Sequence, residues 1–533
     1  MLMIVGSTAL LTGDVVEKPL LIDTCSMGPS ELIRKWMYNC VSCHDTCRTS
    51  FAGEPLDGEK LKISPRRLIQ TFTKNNSELK CPRLIEPGEN FTHSYVALSH
   101  CWGSPDKRPL CTTRANLSQH MTGIPWEGLP QTFRDSISIC IELSIQYLWI
   151  DSICIVQDDA SEWRHESVIM GSIYEQAFFT IAASSAINSI QGLFKVRSTL
   201  NLVELPYRNA DGTTDRVFAY IEPELEKDLS SAPLSDRAWV MQEYYLSRRT
   251  VHFTTNGLIW SCKNGRNPRT RYMTSEFGDS WEKAFEEDWI TLVGSYTRRR
   301  LTYNSDKLIA MQGMTDRFNQ VNRKSYYYGL WIEDLPHDLL WYSDERLIRN
   351  VRNGIPSWTW ASTTGRISFK SSVFENLQPY HVEIIPVMDS IGSLRIRSVL
   401  KRVDNLEGPL QCQAFCFEDL QDMGFTGRLH EDYKNGNILV SPTFLLSSSM
   451  DRMDKVGWGV FDEYERPPGS IFCLPLLKQR VWEGFAQSKE QFFLWVLLVR
   501  AVTDVDKFER VGWGLLLVPS WLDGVAERNV YLL

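Results

Sequence analysis

Two carboxylates stand in this sequence where a globular chain seldom keeps them. Asp151 interrupts the apolar run that begins at Tyr147, and Glu166 lies near the middle of an apolar helix face that follows it. A buried carboxylate is costly unless it is paired or hydrogen-bonded. Two carboxylates that converge can cleave a glycosidic or N-glycosidic bond, because one stabilises oxocarbenium charge while the other manages protons or ribose hydroxyls. We therefore predict Asp151 and Glu166 as catalytic residues.

A structural role is the alternative for both carboxylates. Arg237 or Arg164 could satisfy them in an ion-pair network. Arg237 could instead bind a phosphate or a carboxylate of a substrate through two parallel hydrogen bonds. The sequence leaves these two interpretations open.

Strands and helices alternate around these residues. Strands are predicted at residues 95–99, in the first half of residues 147–159 and at residues 177–183. Helices are predicted to open at residues 129–132 and to run from residue 159 to about residue 176. This order predicts a doubly wound, parallel α/β sheet, in which functional residues gather beyond the carboxyl ends of the strands.

A further helix is predicted at residues 235–246, with Ser235 as its N-cap. Because functional residues gather beyond the carboxyl ends of the strands, the candidate site includes residues that follow the strands and residues of this helix. The predicted substrate-binding residues are Ser99, Trp102, Gly103, Ser152, Arg237, Gln242 and Glu243.

The length of 533 residues predicts more than one domain. Residues 1–92 are predicted to be a polar lead-in, residues 93–265 the α/β domain, and residues 266–533 a further region that is helical and then mainly β. Residues 306–318 are predicted as the clearest helix of that region, and Trp358 and Trp360 as core residues.

Charge and hydropathy exclude some classes of function. The formal net charge is −8, and no long basic cluster is present, which disfavours nucleic-acid binding. No apolar run is long enough to predict a membrane span. The 13 cysteines, several of them within apolar runs, indicate a reduced compartment, and we expect a cytoplasmic protein.

The lead-in contains a short cysteine and histidine cluster. Residues 40–44 match the c-type haem attachment pattern, but the export context for haem is absent. Cys40, His44 and Cys47 would share one side of a helix and are weak zinc candidates, with Cys25 or Cys81 as a fourth ligand. A cysteine-containing apolar helix face is the favoured interpretation, so no metal site is predicted and zinc is disfavoured.

Five segments together resemble the fungal heterokaryon-incompatibility (HET) domain in its stand-alone form. They lie at residues 95–103, 129–133, 147–159, 163–174 and 237–243. The most specific read Tyr-Val-Ala-Leu-Ser-His-Cys-Trp-Gly from residue 95, Tyr-Leu-Trp-Ile-Asp-Ser-Ile-Cys-Ile-Val-Gln-Asp-Asp from residue 147, and Arg-Ala-Trp-Val-Met-Gln-Glu from residue 237.

The resemblance implies a cell-death effector of fungal non-self recognition, with a protein partner of an incompatibility system and self-association as expected interactions. It also implies a remote similarity to Toll/interleukin-receptor (TIR)-like domains of flavodoxin-like fold. Some of those domains cleave NAD with a glutamate on a helix, which makes NAD the expected substrate and Glu166 the candidate for that role. The alternatives are a non-enzymatic signalling or assembly module and a secondary-metabolism enzyme that reuses the scaffold.

Overall fold

The structure is a computed structural model of the chain. It describes residues 2–6, 28–50, 65–72, 81–88, 91–195, 203–208, 212–221, 229–255, 257–264, 289–343, 347–349, 354–369, 377–407, 443–447, 455–463, 467–480, 492–502 and 506–533. The chain divides into two compact units. The first contains Met1–Ala284 and Ile309–Arg317, and the second contains Phe285–Leu308 and Phe318–Leu533.

The first unit is an α/β structure. Its strands are β1 (Leu2–Gly6), β2 (Leu68–Gln70), β3 (Arg83–Ile85), β4 (Tyr95–Ser99), β5 (Tyr147–Ile150), β6 (Phe179–Ala182), β7 (Val203–Arg208), β8 (Thr214–Ile221), β9 (Arg249–Phe253) and β10 (Leu258–Cys262). Seven of them form one sheet in the order β10-β9-β6-β4-β5-β2-β3, and the others form a small sheet in the order β1-β8-β7.

Four strands at the centre of the large sheet are parallel, in the order β5-β4-β6-β9. Every residue of β4, β5 and β6 is buried, which is why these strands read as continuous apolar runs. The outer strands β2, β3 and β10 are antiparallel to their neighbours, so the sheet is mixed rather than wholly parallel as predicted. Strands β2 and β3 belong to the lead-in and have only three residues each, too few for a recognisable pattern.

Helices connect the central strands. In chain order the helices of the described residues are α1 (Gly28–Cys43), α2 (Leu117–Thr122), α3 (Gln131–Glu142), α4 (Asp151–Cys154), α5 (Ala160–Gln176), α6 (Ala238–Tyr245), α7 (Trp289–Thr297) and α8 (Gln312–Asn322). Helix α3 lies between β4 and β5 in the chain, α5 between β5 and β6, and α6 between β6 and β9. The predicted α/β class of this region is confirmed.

The segment that carries Asp151 differs from the prediction in one respect. The strand ends at Ile150, and Asp151 begins the one-turn helix α4 at the carboxyl end of β5. The apolar residues that follow remain buried in this turn, so hydropathy did not distinguish the turn from a longer strand. Asp151 is therefore placed at the edge of the sheet rather than within it.

Two predicted helices also differ. The segment after residue 232 forms a 3-10 helix, Pro233–Asp236, and then α6, so the residue that caps α6 is Arg237 and not Ser235. The Ser235 hydroxyl donates to the carbonyl oxygen of Leu229 instead. The helix predicted at residues 306–318 is broken into short 3-10 turns before α8 begins at Gln312.

The second unit is mainly β, as predicted. Its strands are β11 (Tyr326–Tyr327), β12 (Leu330–Trp331), β13 (Trp341–Tyr342), β14 (Ile348–Arg349), β15 (Thr363–Thr364), β16 (Ser368–Phe369), β17 (Leu377–Pro379), β18 (Glu383–Pro386), β19 (Leu394–Val399), β20 (Lys401–Arg402), β21 (Asn405–Glu407), β22 (Thr443–Ser447), β23 (Lys455–Phe461), β24 (Ile471–Arg480), β25 (Phe492–Ala501), β26 (Lys507–Leu516) and β27 (Glu527–Leu532). An eleven-stranded sheet contains β17 to β27. Trp358 and Trp360 are fully buried, which confirms their predicted place in the core.

No helix in the described part of the chain is both long enough and apolar enough to cross a membrane.

Candidate functional site

The carboxyl ends of β4 and β5 lie side by side. The two strands are parallel, with Leu98 opposite Ile150. Ser99 is the last residue of β4, and Asp151 directly follows β5. Residues just beyond adjacent parallel strands share one edge of a sheet, where ligands of open α/β folds bind. The structure thus brings residues 99–103 and 151–152 together, as the sequence predicts.

Asp151 is held in place by N–H donors from both strand ends. The indole Nε1 of Trp102 donates to its Oδ2 at 2.7 Å, and the backbone N–H of Ser152 donates to its Oδ1 at 2.7 Å. The Nδ1 atom of His100 lies 3.7 Å from the same Oδ1, and the Asp151 side chain is 20% exposed. Asp151 is therefore an oriented carboxylate that is partly open to solvent.

Glu243 of helix α6 is the second carboxylate at this edge. Burial raises the pKa of Glu243 to about 7, the charge of Arg237 opposes the rise, and the charge of Asp151 adds to it. Glu243 therefore belongs to the same electrostatic cluster as Asp151. A carboxyl group with this pKa exchanges its proton near neutral pH, a property of groups that act in acid-base catalysis.

Arg237 supplies the positive charge of the cluster. It is the residue before the first turn of α6, its backbone is extended, and its side chain is half-buried. Burial raises the pKa of the neighbouring Cys101 thiol to about 11, although Arg237 lowers it in part. Cys101 is therefore protonated at neutral pH and is a poor nucleophile.

His100 completes the edge as a neutral ring. Burial lowers its pKa to about 4 despite the charge of Asp151. Its ring packs edge-on against Phe133, and its Nε2 atom has no hydrogen-bond partner among the described residues. The sequence pointed to His100 only as part of a motif, because a side chain at a strand end gives no signal of its charge state.

The comparison with known families bears on this same edge. The family model described as Heterokaryon incompatibility protein (HET) matches residues 95–243. The chain contains a HET domain. No curated protein matches the chain, and no solved structure does. The matched span begins at the first residue of β4 and ends at Glu243, so it includes every residue of the cluster described above.

The family match confirms the resemblance inferred from the sequence. A HET domain implies a function related to heterokaryon incompatibility in fungi.

Glu166, the predicted catalytic residue of the HET domain, lies in a different set of contacts. Its side chain is 1% exposed, and its Oε1 is 3.3 Å from the Nδ1 atom of His165. Burial raises the pKa of Glu166, while His165 lowers it and the charge of Glu162 adds to the rise. The charge of Arg67 also lowers this pKa. The charge of Asp151 acts on Glu243, whereas the side-chain contact of Glu166 is with His165.

The charged network near Glu166 is centred on Glu162. The buried guanidinium of Arg67 donates to Glu162, and the backbone N–H of Val156 donates to the same carboxylate at 2.8 Å. Arg67 is the residue before β2 in the lead-in, far from Glu162 in the sequence. The Asp159 side chain caps α5 by accepting from the backbone N–H groups of Ser161 and Glu162.

The remaining predicted binding residues are divided between the edge and the interior. Gly103 is exposed with a φ of +81°, and a Cβ there would lie 2.8 Å from the Cβ of Asn188, so only glycine fits this turn. Ser152 and Gln242 are fully buried, and the side-chain polar atoms of both have no hydrogen-bond partner among the described residues. Neither is placed to contact a substrate directly in this conformation.

The cysteine and histidine cluster of the lead-in is assembled differently from the prediction. Cys25 lies outside the described residues, and Cys81 is exposed. The residue that joins Cys40, His44 and Cys47 is Cys262 of β10. Sequence spacing gave no signal for this residue, because its proximity depends on long-range packing of the sheet edge.

The pKa of Glu243 predicts a pH-dependent stability. Since this pKa is about 7 in the folded chain against a usual 4.5, the folded chain binds more protons here than the unfolded chain between these values. The contribution of Glu243 to the free energy of unfolding therefore falls as pH rises through this window, by at most about 1.4 kcal/mol per pH unit. The variant Glu243→Gln lacks this titration, so its stability is expected to rise relative to wild type between about pH 5 and pH 8.

Urea denaturation of both proteins across that pH range measures the difference. A stability difference that does not change with pH would mean that Glu243 has an ordinary pKa.

Proposed function

We propose that the HET domain hydrolyses the N-glycosidic bond of NAD at the edge formed by Asp151 and Glu243, as a cytoplasmic cell-death effector of fungal non-self recognition. The observation that carries the proposal is the grouping of two carboxylates with Arg237 beyond the carboxyl ends of parallel strands. The carboxylates can stabilise the positive charge that develops on the ribose, and Arg237 can bind a phosphate of the same substrate.

The topology supports this location. In chain order the four parallel strands have the spatial order 2-1-3-4, so the connections that leave β4 and β6 run in opposite directions, and the strand order reverses between these two strands. Such a point is where doubly wound folds bind nucleotides, and flavodoxin-like folds share this strand order. We propose on this basis that the core is of the flavodoxin-like, TIR-like kind, with a mixed sheet as its departure.

The reaction divides between the two carboxylates. The bond between nicotinamide and the ribose C1′ breaks, and nicotinamide leaves with the electron pair. Water adds to C1′ and loses one proton, so the products are ADP-ribose, nicotinamide and a proton. Asp151, the more exposed carboxylate, stabilises the positive charge on the ribose, and Glu243 accepts the proton of the attacking water. Arg237 holds a phosphate of the substrate.

Glu166 keeps its predicted catalytic role as the competing assignment. It lies on α5, between β5 and β6, and the resemblance to TIR-like domains implies a catalytic glutamate on a helix. Its burial and its contact with His165 favour a structural role instead. The two assignments predict different effects of Glu166→Gln. The variant would abolish NAD cleavage if Glu166 is catalytic, but not if Glu243 is.

A non-enzymatic signalling module is the second candidate function. The observation that favours it is the low exposure of Glu243, 6%. In that case the cluster stabilises the domain, and assembly with a protein partner or with further copies of the chain transmits the signal.

Nicotinamide release by the purified full chain tests the proposal. Wild type is expected to consume NAD, and Asp151→Asn is expected to lose about 10²-fold or more of the rate while remaining folded. Measurements over a range of protein concentrations allow for activation by self-association. A folded wild type that releases no nicotinamide at any concentration, alone or co-expressed with an incompatibility partner, contradicts the proposal and favours the signalling module.

A further inference from the structure

Four metal-binding side chains meet in the interior of the first unit, away from the edge described above. The ligand atoms of Cys40, His44, Cys47 and Cys262 all lie within 4.8 Å of one another, and all four residues are buried. The three cysteines are free thiols. No other group of this kind occurs among the described residues.

The distances fit a single tetrahedral ion. The Nδ1 atom of His44 lies 3.5 Å from the sulfur of Cys262 and 3.9 Å from the sulfur of Cys47. A zinc ion with Zn–S bonds of about 2.3 Å and a Zn–N bond of about 2.0–2.1 Å separates its ligand atoms by about 3.5–3.8 Å. An iron–sulfur cluster would hold its ligands farther apart, so the geometry selects a mononuclear site.

Local structure explains how three ligands come from one short segment. Cys40 lies in the last turn of α1, and the backbone N–H of His44 donates to the carbonyl oxygen of Cys40 at 3.1 Å. A 3-10 helix, Asp45–Arg48, then carries Cys47 back to the same side. Residues separated by one and two helical turns face one direction. The spacing Cys-x3-His-x2-Cys therefore places the three side chains on the same side of the segment.

A buried arginine lies against this group. Arg249 is fully buried and pairs with Cys262 across strands β9 and β10. Its Nε donates to the sulfur of Cys40 at 3.2 Å, and its Nη2 donates to the carbonyl oxygen of Cys47 at 2.9 Å. Zinc with three thiolates and one imidazole carries a net charge of −1, so a cation at this position stabilises the loaded site.

We propose that Cys40, His44, Cys47 and Cys262 bind one zinc ion. Because four protein ligands fill a tetrahedral zinc, the site is structural and leaves no position for a substrate. Its effect is to fasten α1 to β10, the edge strand of the HET-domain sheet. The exposed Cys43 takes no part, although it belongs to the pattern that matches haem attachment. This inference does not depend on NAD cleavage.

Zinc content of the full chain, purified without chelators under reducing conditions, tests the proposal. Elemental analysis is expected to find one zinc per chain in wild type and none in Cys262→Ser. The matched control Cys43→Ser changes an exposed thiol next to His44 and is expected to keep the full zinc content. His44→Cys keeps four ligands and is also expected to keep the ion.

Thiol labelling of wild type covers the case in which Cys262→Ser does not fold. In the folded chain Cys40, Cys47 and Cys262 are expected to resist alkylation while Cys43 reacts. A strong chelator is expected to expose the three protected thiols together and to lower the melting temperature. Folded wild type that contains no zinc and takes up neither added Zn²⁺ nor Co²⁺ overturns the proposal. So does a disulfide between Cys40 and Cys47, or equal loss of zinc in Cys43→Ser and Cys262→Ser.

Discussion

Glu243→Gln is expected to reduce NAD consumption by about 10²-fold to 10⁴-fold, the range typical for loss of a positioned acid or base. Glutamine keeps the size of the side chain and a carbonyl oxygen that can accept hydrogen bonds. It cannot take up a proton and carries no charge opposite Arg237. The loss should therefore appear in kcat more than in KM, since proton transfer belongs to the transition state and not to substrate binding.

The variant Glu243→Asp separates chemistry from packing. Aspartate retains the carboxyl group but withdraws it from the cluster, so partial activity is expected. If Glu243→Gln retains wild-type activity, Glu243 is not the proton acceptor. If it is inactive because it is unfolded, far-UV circular dichroism shows this directly.

Asp462→Ala is expected to destabilise the second unit by about 3–5 kcal/mol, the largest effect on stability that we predict. Asp462 accepts from Nε and Nη2 of Arg510 at 3.0 Å each, and both side chains are buried. Arg510 also donates to the carbonyl oxygens of Leu339 and Trp341 at 2.6 Å, and its guanidinium lies 3.3 Å from the centre of the Trp341 ring. Removal of the carboxylate leaves this guanidinium buried without its partner charge.

A neighbouring ion pair provides the matched control. Arg500 and Glu509 form a salt bridge whose side chains are each 29% exposed. Solvent screens such a pair, so Glu509→Ala is expected to cost about 1 kcal/mol or less. Urea denaturation of the two variants measures both effects. If Asp462→Ala and Glu509→Ala lower the free energy of unfolding equally, burial does not increase the contribution of the Asp462–Arg510 pair to stability.

A strand or helix of the HET domain could be predicted where the hydropathy of its own residues identifies it. Strand β4 and the strand at Tyr147 are buried on both faces, so their hydropathy identified them. A charged residue at the end of such a run also marked Asp151 as a site residue. The end of β5 was misplaced because the turn that follows it is as apolar as the strand.

Features that depend on contacts between distant segments were not predictable in the same way. Glu243 was expected only to bind substrate, because its pKa is raised by burial and by the charge of Asp151, and a single segment of sequence reveals neither. Cys262 gave no signal as a possible ligand, since it is the last residue of a short edge strand and has no second cysteine at metal-binding spacing. Arg67 was likewise missed as the partner of Glu162. Burial and charge state follow from tertiary packing, which periodicity does not describe.

Nicotinamide release by folded wild type, Glu243→Gln and Glu166→Gln, measured in one assay, decides which glutamate carries the proposed NAD cleavage. Catalysis by Glu243 predicts an active wild type, an inactive Glu243→Gln, and a Glu166→Gln that keeps its activity at the temperatures where it is folded. An active Glu243→Gln together with a folded but inactive Glu166→Gln would contradict it and would assign catalysis to Glu166.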